Sequence, residues 1–224
     1  MLLAFDTATE LVCVALHDGA DVVVERRSTQ PMKHGEHLAP LIDEVLRAAG
    51  ASRLDLTALA VGVGPGPFTG LRVGVVTART LAHVLEIPAY GVCTLDVLAA
   101  EAVDSGAVDG PFLVATDARR KEVDLASYDA TGARVEGPVV VKPGEVATDA
   151  PVVGAGPALY PQHFTRPVGP QRPSAGWLAR VVAGGRAEVL DAEPLYLRRP
   201  DAVANVPASM VAAPVVGASG EPTS

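Results

Sequence analysis

Asp6 and Thr7 close a short apolar run at the start of the chain. An acid at a strand end is where nucleotide enzymes hold Mg²⁺ or a phosphate-linked water. The same pair also suits a cap on the turn into the next strand, and both readings stand. A second candidate lies in the run 59–85, LAVGVGPGPFTGLRVGVVTARTLAHVL. It reads as strand, Gly/Pro turn and helix, with Thr69 as the expected N-cap. Such a turn aims backbone N–H groups above the strand, so Asp6, Thr7, Gly64, Gly66, Thr69, Gly70 and Arg72 form a candidate anion site. No Gly-Lys-Ser/Thr follows, so this is not a phosphate-cradling P-loop. Gly64, Gly66 and Gly70 are spaced one residue too far apart for the dinucleotide fingerprint. A cation in the first turn opposes the helix dipole, so Arg72 calls for an anionic partner, either a ligand or a structural carboxylate. A tight turn without any ligand uses the same residues.

Other reactive types are sparse. His34 and His37 stand three apart near a helix start, but nothing at recognisable spacing completes a metal set, and none is expected. Asp117-Ala118-Arg119-Arg120-Lys121-Glu122 reads as a hairpin tip with three consecutive cations. It is either a solvated turn or, through Arg119 and Arg120, a contact for RNA or an acidic partner. No Ser-His-Asp, Cys-His or CxxC pattern occurs, and no catalytic residue is assigned. Cys13 and Cys93 are expected to be reduced core thiols.

The elements that position these residues follow from periodicity. Leu2 to Asp6, Leu11 to His17 and Asp21 to Arg26 read as antiparallel strands, the last two joined at Asp18-Gly19. His34 to Ala49 is an amphipathic helix with Leu38, Leu41, Ile42, Val45 and Leu46 on one face, stopped by Gly50. Gly70 to Leu85 is a second helix, followed by a strand over 88–92 and a helix over 94–103. The order β-β-β-α-β-α-β-α suits a mixed sheet covered by helices. On the second helix Gly70, Gly74, Ala78 and Ala82 recur every fourth residue. Glycine costs a helix up to ~1 kcal/mol against alanine, so this stripe signals close approach of a neighbour in the same chain or in another. A Gly/Asp-rich stretch near 104–111 marks a boundary. Strands are expected at 112–116, 122–128, 138–141 and 151–153, a short helix at 177–183 and an extended segment at 194–198. No internal sequence repeat is visible.

The chain has 224 residues, 49% of them hydrophobic and only 4% aromatic, so Ala, Val and Leu build the core. Its formal charge of −8 argues against gripping nucleic acid unaided. The start MLLAFDTATE lacks a basic leader and no stretch is apolar enough to span a membrane, so a soluble cytoplasmic protein is expected. From Pro200 on, the Ala/Pro/Val/Gly/Ser composition predicts a disordered tail.

With these residues laid out, the sequence resembles the TsaB (YeaZ) family, the dimerisation subunit of bacterial tRNA threonylcarbamoyladenosine synthesis. The stretches that carry the resemblance are LLAFDTATE, HGEHLAPLIDEVL, GVGPGPFTGLRVGVVTARTLA, IPAYGVCTLDVLA, DARRKEV and PLYLR, over about residues 1 to 199. The resemblance implies an actin-like ASKHA fold of two related α/β domains, each a mixed sheet flanked by helices. They would occupy residues 1–104 and 105–199, with 200–224 as the tail. It implies a subunit that is no enzyme by itself and activates the catalytic paralogue TsaD in N6-threonylcarbamoylation of the adenosine next to the anticodon. ATP and a metal ion would belong to partner subunits, and this chain would hold no cofactor. The implied partners are TsaD, the ATPase TsaE, tRNA through the assembly, and a second copy of the chain in isolation. The partner surface would be helices 34–49 and 70–85, through His34, His37, Leu38, Leu41, Ile42, Val45, Leu71, Gly74, Val75, Ala78 and Ala82. The paralogue's metal-binding HxxxH pattern has no counterpart here. Pro67 stands where the family usually has Ser, and Asp124 where an aromatic is common. The alternative function is an independent ASKHA-type ATPase or small-molecule kinase, resting on Asp6-Thr7 and the glycine turn.

Overall fold

The computed structural model describes residues 1–146 and 148–198. The tail expected from residue 200 lies outside the described residues. Three antiparallel strands open the chain: β1 (Leu2–Asp6), β2 (Cys13–His17) and β3 (Val22–Arg27). Helix α1 (His34–Ala48), β4 (Ala58–Gly64), α2 (Phe68–Leu85), β5 (Ala89–Cys93) and α3 (Thr94–Asp104) follow. The first sheet has the order β3-β2-β1-β4-β5, with β4 and β5 parallel to β1. This is the order of elements read from periodicity.

The second sheet uses β6 (Phe112–Asp117), β7 (Val123–Tyr128), β8 (Arg134–Val141) and β9 (Val152–Val153). Its order is β8-β7-β6-β9, with β6/β7 and β7/β8 antiparallel and β6/β9 parallel. The first four strands of the opening sheet run in the same order. A repeat absent from the sequence is therefore present in the topology. Two short helices, α4 (Gly156–Leu159) and α5 (Ala175–Ala183), complete the described chain.

Alternation along the strands divides the core. On β1, Leu3 and Phe5 face α1 and α2, whose Leu38, Val45, Leu46, Val75 and Ala78 complete one layer. Leu2 and Ala4 face the other way, with Ala60 and Val92, onto Leu178, Ala179 and Val181 of α5. Small alanines on that face let α5 approach closely. Helix α3 lies between the sheets, its Leu95, Leu98, Ala99 and Ala102 packing on Phe112, Val114, Ala126 and Tyr128. The stretch 105–199 thus divides its packing, since α5 crosses back to cover the first sheet. The extended segment expected at 194–198 joins no strand ladder. Its Leu195 N–H donates to the Val63 carbonyl at 2.8 Å.

Candidate functional site

The small-residue stripe of α2 faces inward. A Cβ on Gly74 would overlap the Thr7 hydroxyl, and one on Gly70 would overlap the Thr7 carbonyl. Thr7 Oγ1 in turn donates to the Gly70 carbonyl at 2.8 Å. The glycines therefore let α2 lie on the end of β1, which is the same-chain reading of the stripe. Leu71, Val75 and Ala78 are buried beside them, as are Leu38 and Val45 on α1. These five residues and Gly74, expected on a partner surface, are enclosed by their own chain and present nothing outward. His34 is also buried, with Nε2 2.7 Å from the Thr9 carbonyl and its ring against Gly70. His37, Leu41, Ile42 and Ala82 are half-buried and remain at the margin of the helix pair. Among the described residues, no three His, Cys, Asp or Glu side chains gather as a metal site.

The outward face of α2 is a different row: Phe68, Arg72, Val76, Thr80 and Val84, four residues apart. Val76 and Val84 are 60% and 69% exposed. At 100° per residue, Val76 stands 200° around the helix from Gly74. The glycines carried the signal for this row, because a helix face that must be bare of Cβ atoms is the buried one.

The expected anion site does not converge. Asp6 is buried with both oxygens engaged: Oδ1 accepts the Ala8 N–H at 2.6 Å and Oδ2 the Thr94 hydroxyl at 2.7 Å. A Cβ on Gly62 would overlap that carboxylate, which is why β4 carries glycine there. Burial raises the Asp6 carboxyl above its usual range despite these donors. Of the two readings of Asp6-Thr7, the geometry is that of the turn cap. Gly64 and Gly70 are buried and Gly66 lies against the Ala8 carbonyl. Thr69 is not the N-cap. Pro67 takes the extended cap conformation, the helix starts at Phe68, and the Leu71 N–H reaches the Pro67 carbonyl at 3.1 Å. Arg72 is exposed and lies 4.3 Å over the Phe68 ring. Among the described residues it has no carboxylate partner of the kind expected.

The cationic hairpin between β6 and β7 bends back toward α2. Arg119, Arg120 and Lys121 all adopt positive φ, at 62°, 54° and 62°. Asp117 holds this turn, accepting the Arg119 N–H at 2.8 Å and pairing with its guanidinium at 3.1 Å. Arg119 and Arg120 line a cleft of about 840 Å³ whose opposite wall is Pro67, Phe68 and Arg72. Phe68 stacks on Tyr196 at the same cleft, ring centroids 5.2 Å apart.

A family model described as TsaD, tRNA N6-adenosine threonylcarbamoyltransferase, matches residues 28–189. The Escherichia coli tRNA threonylcarbamoyladenosine biosynthesis protein TsaB is 41% identical over 128 residues, covering 57% of this chain and 54% of that protein. YeaZ from Pseudomonas aeruginosa superposes with a TM-score of 0.74 at 29% identity, over 88% of this chain and 99% of that one. The chain belongs to the TsaB (YeaZ) family. An uncharacterized protein of Mycobacterium tuberculosis is 42% identical over 205 residues, which is 90% of this chain and 93% of that protein. The two mixed sheets flanked by helices are the actin-like ASKHA architecture of this TsaB-family chain. Among the described residues no helix is long and apolar enough to cross a membrane.

Two acids of this TsaB-family chain escaped the motif reading. Asp124 on β7 borders the cleft, and burial together with the nearby Asp117 pushes its carboxyl up to about 7. Its signal was alternation: Asp124 shares a strand face with Ala126 and Tyr128, which are core residues. Glu101 on α3 is half-buried, with Oε2 lacking a partner among the described residues, and burial moves it up to about 7.

Proposed function

We propose that this chain is a non-catalytic subunit that docks and activates a TsaD-type catalytic paralogue in tRNA N6-threonylcarbamoylation. Relatives named TsaB support a role in threonylcarbamoyladenosine biosynthesis. The observation that carries the docking role is the outward row of α2, where Val76 and Val84 stand exposed on a helix whose other face is locked into its own sheet. Together with the half-buried Leu41, Ile42 and Ala82, that row supplies an apolar strip for a partner's helices. ATP and a metal ion belong to the partner subunits, a TsaE-type ATPase completes the set, and tRNA is held by the assembly. An isolated chain uses the same strip for a second copy. The independent ATPase or kinase reading rested on Asp6 and Thr7, and both side chains are committed to Ala8, Thr94 and Gly70.

The test is reconstitution. TsaD, TsaE, threonylcarbamoyl-adenylate, ATP and unmodified tRNA are incubated with and without this chain. Modified tRNA is expected only with it, and Val76→Glu with Val84→Glu is expected to abolish both modification and the heterodimer while circular dichroism stays native. Equal modification without the chain refutes the activating role. A heterodimer that survives the double substitution refutes the surface.

A further inference from the structure

Asp124 is 4% exposed, and among the described residues nothing donates a hydrogen bond to its carboxylate. Its oxygens open onto the cleft, where an incoming donor can take the place of water. Asp124 sits in the row of Ala126 and Tyr128 but borders the cleft instead of the core. Across the cleft stands the first turn of α2. Its N-cap, Pro67, supplies no side-chain acceptor, and the turn contains no acid. Arg72 rests on the Phe68 ring and makes no ion pair among the described residues. Leading N–H groups and a guanidinium both favour an anion. Of the three other cleft cations, Arg119 pairs with Asp117 and Arg198 with Glu122. Stacked Phe68 and Tyr196 give the space an apolar wall. Its volume of about 840 Å³ lies within the range of small-molecule sites.

We propose that this cleft binds a small dipolar molecule of the amino-acid class, its ammonium on Asp124 and its carboxylate at Arg72 and the first turn of α2. A simple anion would leave the Asp124 carboxylate facing it without a partner. A simple amine would reach Asp124 past an uncompensated Arg72. A dipolar ligand answers both walls at once, and its body lies along the aromatic pair. The cleft shares Phe68 and Arg72 with the outer row of α2 assigned to docking, so its test uses this chain without a partner.

Calorimetry on the full chain tests it, with L-leucine, L-lysine and L-phenylalanine as probes. Phenethylamine and hydrocinnamate, each carrying one charge of phenylalanine, are the controls. At least one amino acid is expected to bind at millimolar concentration or below, and each single-charge control at least about tenfold more weakly than phenylalanine if that is the binder. Asp124→Asn and Arg72→Ala are each expected to weaken the binding amino acid at least about tenfold with circular dichroism unchanged. The proposal is overturned if none of the three amino acids binds, if a single-charge control binds as tightly as its parent, or if both variants bind like the parent chain.

Discussion

Gly74→Ala is the sharpest test of which way the small-residue stripe of α2 faces. On an exposed helix this change stabilises by about 1 kcal/mol. Here the added Cβ would come within 3.0 Å of Thr7 Oγ1, a fully buried hydroxyl that donates to the Gly70 carbonyl. Thr7 follows directly on β1, so it is a short side chain on a fixed backbone and not the tip of a flexible one. Overpacking of this kind costs about 1–3 kcal/mol, and a displaced hydroxyl that leaves its buried acceptor adds about 1–3 kcal/mol. After subtracting the gain in propensity, a loss of about 1–5 kcal/mol is expected, with Tm falling roughly 2–4 °C per kcal/mol in a chain of this size. Thr7→Ala removes the offending oxygen, and the next atom, Thr7 Cβ at 3.5 Å, is at ordinary contact distance. Gly74→Ala is then expected to be neutral or stabilising in the Thr7→Ala background, a coupling of at least about 1 kcal/mol. Urea titrations of the four proteins, followed by circular dichroism, measure it. Additive effects of the two substitutions would refute the inward packing.

Three further outcomes follow from the core and its acids. The Asp124 carboxyl is raised from 3.8 to about 7, so the native state holds a proton that the unfolded chain releases, and stability is expected to fall as pH rises across that window. Asp124→Asn should flatten that fall by up to about 4 kcal/mol, the residual slope coming from Glu101, Asp6 and Asp96, whose carboxyls burial also raises; an unchanged slope in urea titrations from pH 4 to pH 8 would exclude Asp124 as its source. Leu38→Ala, buried in the layer between β1 and α1, is expected to cost about 2–5 kcal/mol by urea titration, where a partner-surface residue would cost little. Tyr128→Phe removes the hydroxyl that donates to Asp96 Oδ1 at 2.7 Å, and a loss of about 1–3 kcal/mol is expected in thermal unfolding at pH 7.

Strand-to-helix punctuation made the first half of the fold legible. Gly64 to Pro67 broke β4 from α2, and the alternation of Leu3 and Phe5 against Leu2 and Ala4 agrees with the two core layers. Direction was not legible. A period of four on Gly70, Gly74 and Ala78 identifies one helix face but does not name its neighbour, and only the placement of Thr7 decides it. Thr69 is a good capping type, yet Pro67 with its preset φ starts the helix two residues sooner. The repeated strand order left no trace in the residues because buried Val, Leu, Ala and Phe substitute for one another at constant pattern. Asp124 was visible as a departure from a family habit, but the cleft it borders is closed by Phe68, Arg72 and Tyr196 from distant parts of the chain, which no local window contains.

The return of α5 makes the two halves one folding unit. A chain released at Asp104 would leave Leu2, Ala4, Ala60 and Val92 with only Val97 and Ala100 of α3 against them, because the rest of their lid is encoded at 175–183. On the ribosome that lid trails the end of α3 by a delay of roughly 4–16 s at ~5–20 residues per second. During that interval the nascent first sheet shows a partly covered apolar face, a surface open to chaperones or to intermolecular association. An N-terminal fragment ending at α3 is therefore expected to aggregate, and co-expressed segments spanning α5 to rescue it.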